Sequence, residues 1–220
     1  MGMKKALIFD LDGTLLDTIT DIRLAINDAL SSCGFDYSFS KKECHSLVGD
    51  GADTLIHRAL KENDNNENFL KLKNEYMPRY RSYQNNHTKT FNGITSTLKY
   101  LKNKGVLLFV CTNKPDILAH LILDKFFGEG FFTEIRGLNE GEAPKPDPHN
   151  VIKFMNKYDL NGDNTVFVGD SLPDLLTAQN ASLPLALCTY GYGFYKPGLL
   201  KEAKYIIAKP KELAKFGMDL

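Results

Sequence analysis

The sequence has no excess of charge of either sign, because lysine plus arginine and aspartate plus glutamate each total 27. It therefore lacks the basic surface expected of a nucleic-acid-binding protein and the polybasic run expected of a protein that binds anionic lipid. No apolar run approaches the roughly 20 residues that a membrane span requires. Asp10 interrupts the apolar stretch near the N-terminus, so no secretory signal peptide is predicted. We therefore expect a cytoplasmic protein that binds neither nucleic acid nor membrane.

The chain also has few cysteines, and none of the four belongs to a Cys-x-x-Cys pair. Two of them, Cys111 and Cys188, lie in apolar runs typical of buried strands. This argues against a zinc site or a disulfide framework and predicts reduced thiols. With 220 residues, of which 43% are hydrophobic and 25% charged, the composition is that of a globular protein with one domain, or a domain that carries a smaller one.

Between Asp17 and Thr90 few residues have the character of strands, and apolar residues recur at helical spacing. Ser40 and Glu43 have the spacing of a capping box, which predicts a helix start. The other predicted helices are residues 18 to about 33, 52–60 and 67–83. We therefore predict a helical insert at residues 17–90.

After residue 91, apolar runs alternate with helical patterns. The predicted strands are residues 7–9, 106–111, 132–135, 164–169 and 184–188, with a short edge strand at 205–207. The predicted helices are residues 94–103, 114–126, 149–158 and 171–180. Strands separated by helices imply an α/β fold with a doubly wound, mainly parallel sheet. The predicted core comprises residues 1–16 and 91–220.

Three of these predicted strands end at a polar residue, namely Asp10, Thr112 or Asp170. Asp12 follows two residues after Asp10, and Gly13 allows the chain to turn away sharply. Two carboxylates held close together repel each other and are costly to desolvate, which favours a metal or reaction site. For this pair alone, a polar turn would be the simpler interpretation. Ligands of doubly wound sheets bind outside the carboxyl ends of the strands, so we expect these residues to meet at one crevice.

A phosphate ester in that crevice would meet complementary groups. Asp10 and Asp170 can ligate Mg²⁺, the cation suited to carboxylates and phosphate oxygens. Thr112 can donate its hydroxyl to the phosphate, and Asn113 is predicted to begin a helix whose backbone N–H groups favour an anion. Lys145, which is flanked by prolines, supplies a positive charge. We predict that Thr112 and Lys145 act in catalysis and that Thr112, Asn113 and Lys145 bind phosphate.

This arrangement suits attack by a carboxylate on phosphorus. Asp10 would form an aspartyl-phosphate, while Asp12 would protonate the leaving oxygen and then deprotonate the hydrolytic water. Ser171 and Asp174 have the spacing of another capping box and are predicted to support the site. Asp174 could stabilise the helix start, or it could hold Lys145 or a metal-bound water.

The motifs Asp10-Leu-Asp12-Gly-Thr-Leu, Thr112, Lys145-Pro and Gly169-Asp170-Ser-Leu-Pro-Asp174 resemble, in order, those of the haloacid dehalogenase-like (HAD) phosphatases. The resemblance implies a Rossmann-like core, Mg²⁺ and a helical cap inserted after the first motif, where residues 17–90 lie. It also implies that Asp10 is nucleophile and metal ligand, that Asp12 is acid/base and ligates through its backbone carbonyl, and that Asp170 is the third protein ligand. Dehalogenases of the family lack an equivalent of Asp12, which favours phosphoryl chemistry.

Four segments are similar to phosphoglycolate phosphatases within that family: residues 47–53, 111–115, 145–148 and 190–193. This resemblance implies that the cap loop with Gly49 and Gly51 meets the substrate, and 2-phosphoglycolate is the first candidate. Asp50 in that loop would repel an anionic substrate unless it points outward. Cations for a substrate carboxylate could come from Lys114. They could also come from Arg58, Arg79 or Arg81, although most of these arginines are expected on solvated faces.

Other functions are compatible with the same pattern. A sugar-phosphate mutase similar to β-phosphoglucomutase would return the phosphoryl group to another hydroxyl rather than to water. A phospho-accepting signalling domain would need neither Asp12 nor a helical insert, and a binding protein without catalysis would not need every motif residue. The expected partner is a small phosphorylated metabolite, and the expected assembly is a monomer or a homodimer.

Overall fold

The computed structural model describes residues 5–83, 86–193 and 197–217. The outer ends of the predicted core, residues 1–4 and 218–220, lie outside the described residues. The strands are β1 (Ala6–Phe9), β2 (Leu16–Asp17), β3 (Lys89–Thr90), β4 (Leu107–Pro115), β5 (Glu134–Leu138), β6 (Thr165–Gly169), β7 (Leu185–Cys188) and β8 (Tyr205–Ile207).

Helices account for most of the remaining described chain. They are α1 (Ile19–Ser32), α2 (Lys41–Cys44), α3 (Ala52–Leu60), α4 (Asn66–Tyr83), α5 (Ile94–Asn103), α6 (Asp116–Phe127), α7 (His149–Tyr158), α8 (Leu172–Asn180) and α9 (Pro197–Glu202). Short 3₁₀ segments occupy Lys61–Asn63 and Pro210–Gly217. No helix among the described residues has both the length and the apolar character needed to cross a bilayer.

Six strands form one parallel sheet in the order β5-β4-β1-β6-β7-β8. Counted along the chain within this sheet, the order is that of a Rossmann fold, in which the chain reverses direction beside the first strand. This confirms the predicted α/β fold. It also places the carboxyl end of β1 between those of β4 and β6, where a ligand crevice is expected.

The sequence of β1 has no polar alternation because both faces of the sheet are covered. Leu7 and Phe9 belong to the apolar cluster on one face, whereas Ala6 and Ile8 belong to the cluster on the other. All four side chains are buried. A strand that is covered on both faces has a continuous apolar sequence, which is why β1 could be predicted.

The end of β4 differs from the prediction. Asn113, Lys114 and Pro115 continue the strand, and α6 begins at Asp116 rather than at residue 114. Pro115 disfavours a helical conformation at the residue before it and itself has an extended backbone, with φ −49° and ψ 132°. The prediction that Asn113 begins the helix was therefore wrong. The predicted strand at 132–135 also lies two to three residues later, at Glu134–Leu138.

Helices α1 to α4 pack around an apolar cluster distinct from the two that cover the sheet. The chain enters and leaves this helical segment side by side, since β2 and β3 form an antiparallel ladder that pairs Leu16 with Thr90 and Asp17 with Lys89. The buried carboxylate of Asp21 accepts hydrogen bonds from the backbone N–H groups of His87 and Thr88. Two-residue strands carry no sequence pattern, so this ladder was not predicted.

Candidate active site

Asp10 lies at the end of β1, where its backbone N–H donates to the carbonyl of Val168 at 2.9 Å. The chain then turns sharply at Gly13, whose φ is +86°. A Cβ atom at this position would lie only 2.2 Å from Asp170 Oδ2. Glycine at position 13 therefore permits both the turn and the close approach of the Asp170 carboxylate.

Asp170 follows β6 and is 2% exposed. Its Oδ1 accepts a hydrogen bond from the Thr14 hydroxyl at 3.1 Å. Its Oδ2 accepts from the backbone N–H groups of Tyr192 at 3.1 Å and Gly193 at 2.8 Å. Burial raises the pKa of Asp170 well above its usual value, and the nearby carboxylates of Asp174 and Asp10 raise it further. This site favours a neutral carboxyl group or a carboxylate with a cation beside it.

Lys145 lies between two carboxylates. Its Nζ is 2.9 Å from Asp10 Oδ1 and 2.6 Å from Asp174 Oδ1. Burial alone would lower the pKa of Lys145, but the two carboxylates hold it above its usual value. Burial raises the pKa of Asp10 to about 6 against the opposing effect of this ammonium group. Although it is close to Lys145, Asp10 Oδ1 accepts no hydrogen bond with normal angles and is buried.

Asp174 makes the contacts for two of the three roles that the sequence left open. Its Oδ2 accepts from the backbone N–H groups of Asp170 and Ser171 and from the Ser171 hydroxyl, at 3.1, 3.0 and 2.6 Å. Its Oδ1 binds Lys145. One buried side chain therefore holds both the start of α8 and the lysine of the site.

Thr112 and Asn113 lie on β4 and are both buried. Asn113 Oδ1 accepts from the backbone N–H of Lys145 at 2.7 Å, and its Nδ2 donates to the carbonyls of Gly49 and Lys145 at 3.1 and 3.3 Å. Asn113 thus connects three segments that are distant in sequence. Its side chain is engaged with backbone groups rather than directed at an anion.

The Asp12 carboxylate lies close to the helical segment. Its Oδ1 accepts from the Thr18 hydroxyl at 2.7 Å, and Lys114 Nζ lies 3.2 and 3.3 Å from its two oxygens. The Tyr192 hydroxyl lies 2.7 Å from that of Thr18. Neither Thr18 nor Thr14 was predicted to belong to the site. Tyr192 stands in the Tyr-Gly-Tyr-Gly motif, so its motif was noted although its contact was not.

These residues border a cavity of about 60 Å³, which has room for roughly four water molecules. Asp10, Asp12, Thr112, Asn113, Asp170 and Ser171 are among its lining residues. Gly49 and Gly51, in the loop before α3, also line it. The helical segment also contributes a largely apolar wall formed by Ile22, Val48, Ala52, Leu55, Tyr76 and Tyr80.

Asp50 and the three candidate arginines are not among the described residues that line the cavity. The Asp50 carboxylate pairs with Arg58 at 2.5 Å, and both side chains are partly exposed. Arg79 pairs with Glu75. Neither arginine is among the described residues that line the cavity, and Arg81 is also absent from that wall. Asp50 therefore does not bring a negative charge to the cavity wall.

Carboxylate oxygens of Asp10, Asp170 and Asp174 lie within 4.8 Å of one another, close enough to surround a metal ion. Asp10 and Asp170 also line the cavity, whereas Asp174 is not among its described lining residues, so Asp10 and Asp170 are the side chains best placed to ligate it. The structure thus brings the predicted residues from the first, third and fourth motifs into one buried cluster, with Thr112 from the second at the adjoining cavity.

Comparisons with known proteins agree with this arrangement. Residues 7–188 match the model of a family described as haloacid dehalogenase-like hydrolase. The chain is 34% identical over 188 residues to a phosphoglycolate phosphatase of Agrobacterium fabrum, covering 84% of this chain and 80% of the relative. It is also 34% identical over 205 residues to one of Pasteurella multocida, covering 90% and 91%.

The solved structures give the same result for the fold. A predicted phosphoglycolate phosphatase from Haemophilus somnus 129pt superimposes with a TM-score of 0.90 at 28% identity, covering 99% of this chain and all of the other. Because the superposition extends over the helical segment as well as the sheet, the similarity is not confined to the Rossmann-like core.

Proposed function

Because this chain belongs to the haloacid dehalogenase-like hydrolase family and is a phosphatase, we propose that its substrate is 2-phosphoglycolate and its cofactor Mg²⁺. The relatives that are named phosphoglycolate phosphatases support this choice of substrate. The structural observation that carries the proposed chemistry is the buried cluster of charged residues. It combines a nucleophile candidate, Asp10, a buried lysine and a second carboxylate, Asp170, beside a small cavity.

The reaction uses two aspartates in turn. An Asp10 oxygen attacks the phosphorus, and the bond between phosphorus and the ester oxygen breaks as Asp12 gives that oxygen a proton. Asp12 then takes a proton from a water molecule, which attacks the phosphorus and breaks its bond to Asp10. The products are glycolate and inorganic phosphate. The lysine of the site, Lys145, and the Thr112 hydroxyl neutralise and orient the phosphoryl oxygens.

The residues of the site fit a divalent cation. When all four carboxylates of the described site are ionised, its two ammonium groups leave a net charge of −2. These groups belong to Asp10, Asp12, Asp170, Asp174, Lys114 and Lys145. Asp10 Oδ1 is buried without a well-oriented hydrogen bond. The Asp10 and Asp170 side chains and the Asp12 backbone carbonyl would hold Mg²⁺. Once bound, this ion would neutralise charge on the carboxylates and the phosphoryl group.

The helical segment, residues 17–90, acts as a cap in this proposal, with residues 1–16 and 91–220 as the core. Support comes from its separate apolar cluster and from the paired strands through which the chain enters and leaves it. Opening would admit substrate, and closing would exclude water while the aspartyl-phosphate forms. The four buried cysteines fit a cytoplasmic location for the enzyme, where thiols stay reduced.

The test is a screen of phosphorylated metabolites for release of inorganic phosphate, with Mg²⁺ and with excess EDTA. We expect the highest kcat/KM for 2-phosphoglycolate and loss of turnover in EDTA. A preference for a sugar phosphate would contradict the proposed substrate. Undiminished turnover in EDTA would contradict the metal, and transfer of the phosphoryl group to a second hydroxyl without phosphate release would favour a mutase.

A further inference from the structure

The feature that the proposed chemistry leaves unexplained is Lys114. It lies near the end of β4, two residues after Thr112, and its side chain is 1% exposed. Its ammonium nitrogen lies 3.2 and 3.3 Å from the two oxygens of Asp12 and contacts the Tyr80 hydroxyl of α4. A buried ammonium group is costly unless an anion compensates its charge, and in this structure Asp12 is that anion.

Lys114 differs from the other buried lysine of the site in what it faces. Lys145 has its ammonium between Asp10 and Asp174 and is not among the residues that line the cavity. Among the described lining residues, Lys114 is the one with a cationic side chain. In the proposed reaction Lys145 and Thr112 serve the phosphoryl group, which lies at Asp10. Lys114 instead contacts Asp12.

The position beside Asp12 indicates which part of a substrate Lys114 would meet. In the proposed reaction Asp12 hydrogen-bonds to the ester oxygen that leaves phosphorus. In 2-phosphoglycolate a single methylene group separates that oxygen from the carboxylate carbon. A group within hydrogen-bond distance of Asp12 is therefore within reach of the substrate carboxylate. The adjoining wall of Leu55, Tyr76 and Tyr80 offers the Tyr80 hydroxyl as a second donor.

We propose that Lys114, assisted by the Tyr80 hydroxyl, binds the carboxylate of a small phosphorylated acid and so determines the specificity of this phosphatase. The inference rests on the proposed function and names the residue that selects its substrate. Without substrate, the Asp12 carboxylate is the ionic partner of the Lys114 ammonium group. When substrate binds, its carboxylate replaces Asp12 as the partner of Lys114, and Asp12, carrying a proton taken up from water, turns to the ester oxygen. A neutral sugar in the same place would leave a buried ammonium group poorly compensated.

The experiment compares two substrates that differ at the carboxylate alone. One is 2-phosphoglycolate, and the other is 2-hydroxyethyl phosphate, in which a hydroxymethyl group replaces the carboxylate. The measured quantity is the ratio of their kcat/KM values, because any effect of a substitution on Asp12 or on the phosphoryl site cancels in that ratio. We expect wild-type protein to favour 2-phosphoglycolate by at least roughly tenfold.

Two variants test the assignment. Lys114→Met removes the charge and should lower the preference for 2-phosphoglycolate by roughly 10- to 100-fold, chiefly through KM. Tyr80→Phe removes one oxygen and should lower the preference about threefold, as expected for one neutral donor. Lys153→Met is the matched control, since Lys153 contacts Glu142 at the surface and should leave the preference unchanged.

The outcomes separate this inference from the proposed function. If wild-type protein does not favour 2-phosphoglycolate, the proposed substrate and the carboxylate site are both overturned. If it does, but Lys114→Met slows both substrates equally, Lys114 serves Asp12 alone and only this inference is overturned. If Lys114→Met fails to fold, as thermal unfolding would reveal, the preference of Tyr80→Phe decides the question: an unchanged preference overturns the inference.

Discussion

The two sides of the cavity hold their residues by different means. The strand-end side consists of the lining residues Asp10, Asp12 and Asp170 together with Lys145 and Asp174 behind them, and its charges are fixed by buried ion pairs and by hydrogen bonds. The helical side consists of the lining residues of α1, α3 and α4 and of the loop before α3, where mainly apolar and aromatic side chains meet the cavity.

This difference determines what each side tolerates. On the strand-end side, one changed side chain leaves a buried charge without its partner, which is costly in stability and in chemistry. On the helical side, apolar side chains of similar volume can replace one another at modest cost. We therefore expect the reaction to depend on the strand-end side and the choice of substrate to depend on the helical side together with Lys114.

The largest effect is expected for Asp10→Asn, which replaces the attacking carboxylate by an amide of nearly the same shape. The variant should lose at least roughly 10⁴-fold in kcat for release of phosphate from 2-phosphoglycolate. Its thermal unfolding should remain cooperative, because Lys145 keeps Asp174 as a partner. Turnover close to that of the wild type would show that Asp10 is not the nucleophile.

A second substitution on the strand-end side, Lys145→Met, should reduce both activity and stability. It leaves the Asp10 and Asp174 carboxylates buried without their shared cation, and loss of one partner of a buried pair costs about 3–5 kcal/mol. The free energy of unfolding in urea measures this loss, and kcat should fall by roughly 100-fold or more.

Lys153→Met is the control for this change because the Lys153 side chain is 45% exposed and lies 3.4 Å from Glu142. An exposed pair of this kind contributes less than about 1 kcal/mol. If the two substitutions destabilise the protein equally, the buried pair is no stronger than a surface one, and the contrast between the two sides loses its energetic basis.

Metal binding should show a pH dependence that follows from the same carboxylates. Burial raises the pKa of Asp10 from 3.8 to about 6, and it raises the pKa of Asp170 as well. In metal-free protein the stability gained from protonating Asp10 is fully present below pH 4 and is lost as the pH rises through 6, and Asp170 acts in the same direction. Mg²⁺ binds the ionised groups, so the rise in unfolding temperature that it causes should be small at pH 5 and larger at pH 8.

At pH 8 we expect saturating Mg²⁺ to raise the unfolding temperature by roughly 5 °C relative to EDTA. Asp170→Asn, which removes one of the two proposed side-chain ligands, should abolish most of that increase. An increase of the same size at pH 5 and pH 8 would contradict the assignment of the metal to these carboxylates.

Much of the strand-end side could be predicted from the sequence because its residues follow buried strands directly. The apolar run of β1 indicated where Asp10 would lie, and that of β6 did the same for Asp170. The contacts between these segments could not be predicted in this way. Thr14 bonds to Asp170, and Thr18 contacts Tyr192, across 156 and 174 residues of chain. No local pattern encodes contacts of that separation.

The end of β4 was mispredicted for a different reason. Pro115 disfavours a helical conformation at the residue before it, which indicates that the helix begins after this proline. The apolar spacing of α6 nevertheless suggested a helix that began two residues too early. The resulting extended segment aligns Lys114 with the cavity. On the helical side, the helices were predictable from their periodicity, whereas the residues that face the cavity depend on how those helices pack.

The smallest effect is expected at the edge of the helical side, for Asp50→Asn. Asp50 pairs with Arg58 at the surface and is not among the described lining residues, so the substitution should cost less than about 1 kcal/mol. It should also leave KM for 2-phosphoglycolate within about twofold of the wild-type value, since the charge is neutralised and screened. Asp53→Asn is the control, because Asp53 forms a similar exposed pair with Lys73. If Asp50 instead faced the bound anion, Asp50→Asn alone would lower KM several-fold, and the helical side would then carry a repulsive charge that selects against anionic substrates.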